Sequence, residues 1–137
     1  MTKYDHYLVR KLDKDSAGQF TKRKYINLET YKKGGEAVRT PMWFVEDNGI
    51  IYVRTGENSG KVKRARNNPA IRIVPSNILG YPKGYWSNGK ILTCSTAEKE
   101  KATYLFKQKY GLQEKILQMM YKIKQIRLVI ISVHLVR

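Results

Sequence analysis

From Lys24 onward the chain alternates between apolar and polar positions. Tyr25 to Tyr31 sets Ile26, Leu28 and Thr30 on one face, the two-residue period of a strand with one buried side. A return strand over Ala37 to Val45 does the same with Val38, Thr40, Met42 and Phe44. Lys33-Gly34-Gly35-Glu36 between them reads as a tight turn, because paired glycines reach positive φ without a Cβ clash. Pro41 lies inside the second strand. Lacking an N–H, it cannot serve a central ladder, so an edge, a bulge or a ligand-facing position is expected. Asp47-Asn48-Gly49 is a second hairpin turn, leading into a strand over Ile50 to Arg54. Three strands joined by two tight turns make an antiparallel meander.

The pattern then changes period. Thr55 to Gly60 is a polar loop. Lys61 to Asn67 reads as a short helix, capped by Ser59 and stopped by Asn68-Pro69. Ala70 to Pro75 is a fourth strand. Tyr85 to Thr93 is a fifth, with Asn88-Gly89 read as a bulge or bend within it, the alternative being a hairpin turn. Ser95-Thr96-Ala97-Glu98 has the spacing of a capping box. The helix behind it gathers Ala102, Leu105, Phe106 and Tyr110 on one stripe and ends at Gly111. A further amphipathic helix over Leu112 to Lys124 is expected to turn Leu112, Ile116, Met119, Met120 and Ile123 inward as core. Gln125 to Val136 is a β-branched sixth strand. Six strands with few helices indicate a mainly β chain folded as a small barrel. Residues 1–23 read as an N-terminal segment packing on or extending the barrel, and residues 24–137 as the barrel domain. Within the N-terminal segment, Tyr4 to Leu12 is ambiguous and Asp13 to Thr21 is expected to form a short helix.

Composition narrows this picture. A length of 137 residues is one domain's worth. With 42% hydrophobic and 28% charged residues, wholesale disorder is excluded. One cysteine, Cys94, excludes an intrachain disulfide and a cysteine-rich zinc module. Met1 to His6 holds no apolar signal segment, and the apolar run Leu128 to Val136 is far short of the ~20 residues of a membrane helix. A cytoplasmic protein with no membrane partner is expected. Charge is the outlier: 27 Lys and Arg against 11 Asp and Glu leave +16, which favours an anionic partner.

One stretch focuses that charge. Arg54, Lys61, Lys63, Arg64 and Arg66 surround a single acid, Glu57, where a strand runs through a glycine-containing loop into a helix. A helix N-terminus offers free N–H groups and a positive dipole end. Gly60 allows close approach to the backbone, Ser59 offers a hydroxyl, and Lys61 sits in the first turn. Together these residue types suit a phosphate; an ordinary capped helix with a solvated basic face is the alternative. The spacing matches neither a Walker A loop nor a dinucleotide fingerprint. His6 and His134 belong to no ligand motif, and Cys94 has no neighbouring base. With no nucleophile constellation and no metal motif in the pattern, the chemistry of an enzyme here would belong to a bound cofactor.

Arg39-Thr40-Pro41-Met42-Trp43-Phe44, Tyr52-Val53-Arg54-Thr55-Gly56, Ser59-Gly60-Lys61-Val62-Lys63-Arg64 and Asn67-Asn68-Pro69 follow one another in an order that resembles the flavin-binding split β-barrel family related to pyridoxamine 5′-phosphate oxidase. Lys109-Tyr110-Gly111 and the loop with Gly80, Pro82 and Gly84 are similar to its small branch that uses the deazaflavin coenzyme F420. The resemblance spans about Lys24 to Val136. It implies a six-stranded antiparallel split barrel and a homodimer with two cofactor sites at the interface. It also implies FMN or F420 as cofactor, and hydride transfer to or from a small organic substrate. On this pattern Arg39, Thr40, Pro41 and Met42 line the ring, largely through backbone, while Arg54, Thr55, Ser59 and Lys61 hold the phosphate, with Lys63 and the Gly60 backbone beside them. Departures accompany it. Gly60 stands where pyridoxamine oxidases carry an arginine. Gly84 falls about where they place a ring-contacting glutamine, leaving Tyr85 or Trp86 either to reach the ring or to pack in the barrel. The C-terminal pyridoxal-phosphate signature is absent, so vitamin B6 oxidation is not expected. Two other readings stay open: a basic barrel binding single-stranded nucleic acid through its ten tyrosines, two tryptophans and positive charge, and a flavin carrier without turnover.

Overall fold

The computed structural model describes residues 18–136. The stretch 4–12, most of the helix expected over 13–21, and His6 lie outside the described residues. Six strands form a closed antiparallel barrel: β1 (Tyr25–Tyr31), β2 (Ala37–Asp47), β3 (Ile50–Gly56), β4 (Ala70–Ser76), β5 (Ser87–Leu92) and β6 (Leu128–Leu135). Their order around the wall is β1-β2-β3-β6-β5-β4, and β4 closes back on β1. Helix α1 (Gly60–Asn67) links β3 to β4, and α2 (Thr96–Tyr110) and α3 (Leu112–Ile123) lie between β5 and β6.

The alternation decides what fills the barrel. Ile26, Leu28, Phe44, Ile51, Val53, Ile71, Ile73 and Val133 form one buried cluster. Phe20, ahead of β1, joins them and meets the Phe44 ring edge-on at 6.1 Å. A second cluster lies outside the wall, where Ala102, Phe106 and Tyr110 of α2 pack on Val45, Tyr52 and Cys94. The capping box at Ser95 and Glu98 is formed. The Tyr110 hydroxyl fixes α2 to the sheet: it accepts from the Phe44 N–H at 3.0 Å and lies 2.7 Å from the Lys24 carbonyl.

Two ladders run out before their strands do. β2 pairs with β3 only over Phe44–Asp47 and Ile50–Val53. Thr40 to Trp43 on one strand and Arg54 to Gly56 on the other therefore part from each other. Pro41 sits in this parted half, where its missing N–H deprives no β3 partner. β5 and β6 separate beyond the pair Leu92↔Ser132, leaving Leu128 to Ile131 paired with β3 alone.

The structure corrects two expectations. Asn88-Gly89 forms neither a bulge nor a turn, because β5 pairs without interruption from Ala70↔Lys90 to Ile73↔Ser87. Gly89 is there for space: a Cβ would lie 3.1 Å from the His134 carbonyl, Ile71 and Val133. Second, Leu112, Ile116, Met119, Met120 and Ile123 of α3 are all exposed. The helix instead turns Glu114 into the protein, with Leu117 and Tyr121 half-buried on the same side. Periodicity tells which residues avoid water, not what covers them. Here a buried arginine on β3 claims the carboxylate face.

Candidate functional site

The gap between β2 and β3 opens a cavity of about 350 Å³. Thr40, Pro41, Met42 and Trp43 form one wall, and Arg54 and Thr55 the other. Lys61 borders it from the first turn of α1, and Leu117 and Tyr121 from α3. Trp43 stacks on Tyr110 at 4.1 Å between centroids and 7° between planes, which locks its ring.

Arg54 is the most constrained residue of the site. Its guanidinium lies 4.6 Å from the centre of the Phe106 ring and pairs with the Glu114 carboxylate. Its Nη1 is buried without a hydrogen-bond partner. A buried donor left unpaired costs on the order of 1–3 kcal/mol, so the place calls for an acceptor. Lys61 has no carboxylate partner among the described residues. Burial, and then the neighbouring Arg64 charge, lower its pKa below the ordinary lysine value. Thr55 Oγ1 donates to Ser59 Oγ at 3.4 Å, and Ser59 caps α1 by accepting from the Val62 N–H at 3.4 Å.

Six of the ten residues singled out in the sequence thus line one cavity: Thr40, Pro41, Met42, Arg54, Thr55 and Lys61. Ser59 sits one hydrogen bond behind Thr55. Lys63 is exposed on α1, away from the cavity lining. Gly60 makes room for a cation: its missing Cβ would lie 2.7 Å from Arg64 Nη1, while Arg64 Nε donates to Thr30 Oγ1 at 2.7 Å. The Arg39 side chain turns away to Glu29, its Nε 2.7 Å from Oε2. Trp86 lies beside that pair, under the guanidinium groups of Arg39 and Arg72 at 4.6 and 4.9 Å, and Tyr85 is exposed. Sequence reasoning missed Glu114, Leu117 and Tyr121. An acid in the first turn of an apolar helix reads as an ordinary helix-end charge. Cys94 is buried, which pushes its thiol pKa up and disfavours a catalytic thiolate.

No protein-family model matches this sequence, and no curated protein is significantly similar to it. The fold has solved counterparts. A candidate pyridoxamine 5′-phosphate oxidase from Listeria innocua superposes with a TM-score of 0.59 at 14% identity, over 92% of this chain and 94% of that one. An FAD-binding protein from Mesorhizobium loti gives 0.60 at 13% identity, over 91% and 88%. A heme storage protein from Vibrio cholerae gives 0.65 at 11% identity, over 93% and 89%. Likeness at this identity establishes the architecture, that of the split barrels to which flavin-binding proteins also belong. Among the described residues no helix is long and apolar enough to cross a membrane.

Proposed function

We propose that this chain is a cytoplasmic oxidoreductase. It binds FMN or the deazaflavin F420 between β2 and β3 and passes a hydride between that cofactor and a small organic substrate. The observation that carries the reading is the unpartnered Nη1 of buried Arg54, in one cavity with the unpaired Lys61. A phosphate answers both, and the cavity volume lies within the ~300–1,000 Å³ of small-molecule sites. Arg54, Thr55, Ser59 and Lys61 hold the phosphate, with the Gly60 backbone beside them. Thr40, Pro41 and Met42, with Arg39 through its backbone, border the ring. The ring supplies the hydride chemistry when bound; the protein orients it and shields it from water. The exposed apolar stripe of α3 and Ile78 at the cavity rim favour a homodimer whose second copy covers the site.

The test is a fluorescence titration of ligand-stripped protein with FMN and, separately, with F420. Saturable binding of either supports the reading and picks the cofactor. Turnover with a bound, reduced cofactor then separates an enzyme from a carrier. Binding of neither removes the oxidoreductase and sends the +16 chain to single-stranded RNA and DNA.

A further inference from the structure

A second cavity, of about 600 Å³, opens on the other side of α1, where the β5–β6 ladder ends. It shares no lining residue with the β2–β3 site. Its wall is apolar: Val62 and Ala65 from α1, Ile91 and Leu92 from β5, Leu128 and Ile130 from β6. Its charged lining is mainly cationic, with Arg66, Lys99 and Arg127 against Glu57. Arg127 and Glu57 form only a loose pair at 3.8 Å with the arginine 83% exposed, an arrangement worth little. Arg66 and Lys99 have no carboxylate partner among the described residues. In a chain of +16 any rim tends to be basic. Here the unpaired cations frame an apolar hollow large enough for a whole ligand.

We propose that this cavity binds an amphipathic organic anion. An alkyl body lies against the Val62 and Ile130 wall, and a carboxylate meets Arg66 and Lys99. Taking the body out of water against this wall drives its binding. The two cations set the preference for an anion over a neutral molecule of the same shape.

Cys94 lines this cavity and is 9% exposed, and it is the chain's one cysteine. Its rate of alkylation by N-ethylmaleimide therefore reads occupancy without reference to any activity. Decanoate, below its micelle concentration, is expected to slow labelling saturably, by roughly tenfold or more at saturation. Decan-1-ol should bind roughly tenfold more weakly, since it cannot make the charge-assisted bonds. Arg66→Gln with Lys99→Gln should bring decanoate down to the level of decan-1-ol, with the thermal midpoint checked first. FMN should leave the labelling rate unchanged. An absence of protection by decanoate overturns the proposal. So does equal affinity for acid and alcohol, or full decanoate affinity in a folded double variant.

Discussion

Arg54 and Glu114 form an ion pair whose side chains are only 6% and 2% exposed, and Arg54 Nη2 also reaches Glu114 Oε2 at 3.1 Å. The pair ties β3 to α3 through Nη2, while Nη1 is buried without a hydrogen-bond partner. Removing one partner of such a pair strands a buried charge, at a cost of about 3–5 kcal/mol. Glu114→Ala is therefore expected to lower the urea unfolding free energy by about that amount. Arg54→Met combined with Glu114→Leu removes both charges and should unfold near the parent midpoint. If Nη1 is the phosphate donor, this double variant also loses FMN or F420 binding while staying folded. Full retention of cofactor affinity would take Arg54 out of the site.

Ser59 serves two roles that substitution can separate. As the cap of α1 it contributes about 1 kcal/mol, which Ser59→Ala should remove. Ser59→Asp keeps a capping oxygen and adds a negative charge beside Thr55. Its stability should match the parent, while phosphate repulsion sharply weakens cofactor binding. Lys61→Ala should weaken binding by roughly ten- to a hundredfold with circular dichroism unchanged, the loss expected for one charge-assisted hydrogen bond. If Ser59→Asp bound cofactor as well as the parent does, the phosphate would have to lie elsewhere.

The barrel was legible because residues facing its interior recur at every second position, so Ile26, Leu28, Phe44 and Val53 announce themselves by alternation. The cap at Ser59 and the capping box at Ser95 and Glu98 were legible because local hydrogen bonding depends on spacing alone. Gly89 misled because a glycine needed for close strand approach looks the same in sequence as one needed for a turn. The α3 face misled for a different reason. Its orientation is set by Arg54, sixty positions earlier in the chain, and no local pattern encodes a long-range ion pair. The site divides in the same way. The loop and α1 residues sit together by local geometry, while Leu117 and Tyr121 arrive only through the tertiary fold.

Glu29 gives the fold a defined acid limit. Its buried carboxylate accepts from Arg72 Nε at 2.7 Å, Tyr31 at 2.6 Å and Arg39 Nε at 2.7 Å. The Arg72 hydrogen bond lowers its pKa most; burial opposes this, and Tyr31 and Arg39 add to the lowering, from the ordinary 4.5 to about 2. A carboxylate with a depressed folded pKa stabilises the native state fully above its unfolded value. That contribution is lost as pH falls through the folded value. Urea midpoints should therefore drop between about pH 4.5 and pH 2, and Glu29→Gln should flatten this part of the profile. Parallel profiles for parent and variant would show that other carboxylates set the limit.

The apolar stripe of α3 makes the last prediction. Leu112, Ile116, Met119, Met120 and Ile123 range from 47% to 75% exposed along one helix whose opposite side carries Glu114. A stripe of this kind marks an interaction surface. It lies on the element that also supplies Leu117 and Tyr121 to the cofactor cavity. If a second copy of the chain covers it, light scattering should report a dimer for the parent. Ile116→Lys with Met119→Lys should then give a monomer. Because lysine favours helix and neither side chain fills the core, helical signal and thermal midpoint of that monomer should stay close to those expected for an intact barrel. Cofactor affinity should fall as dimerisation is lost, since the rim at Ile78 is then uncovered. A parent that is monomeric at high concentration, or a lysine variant that still dimerises, would detach α3 from the interface and leave the cavity to be closed within a single chain.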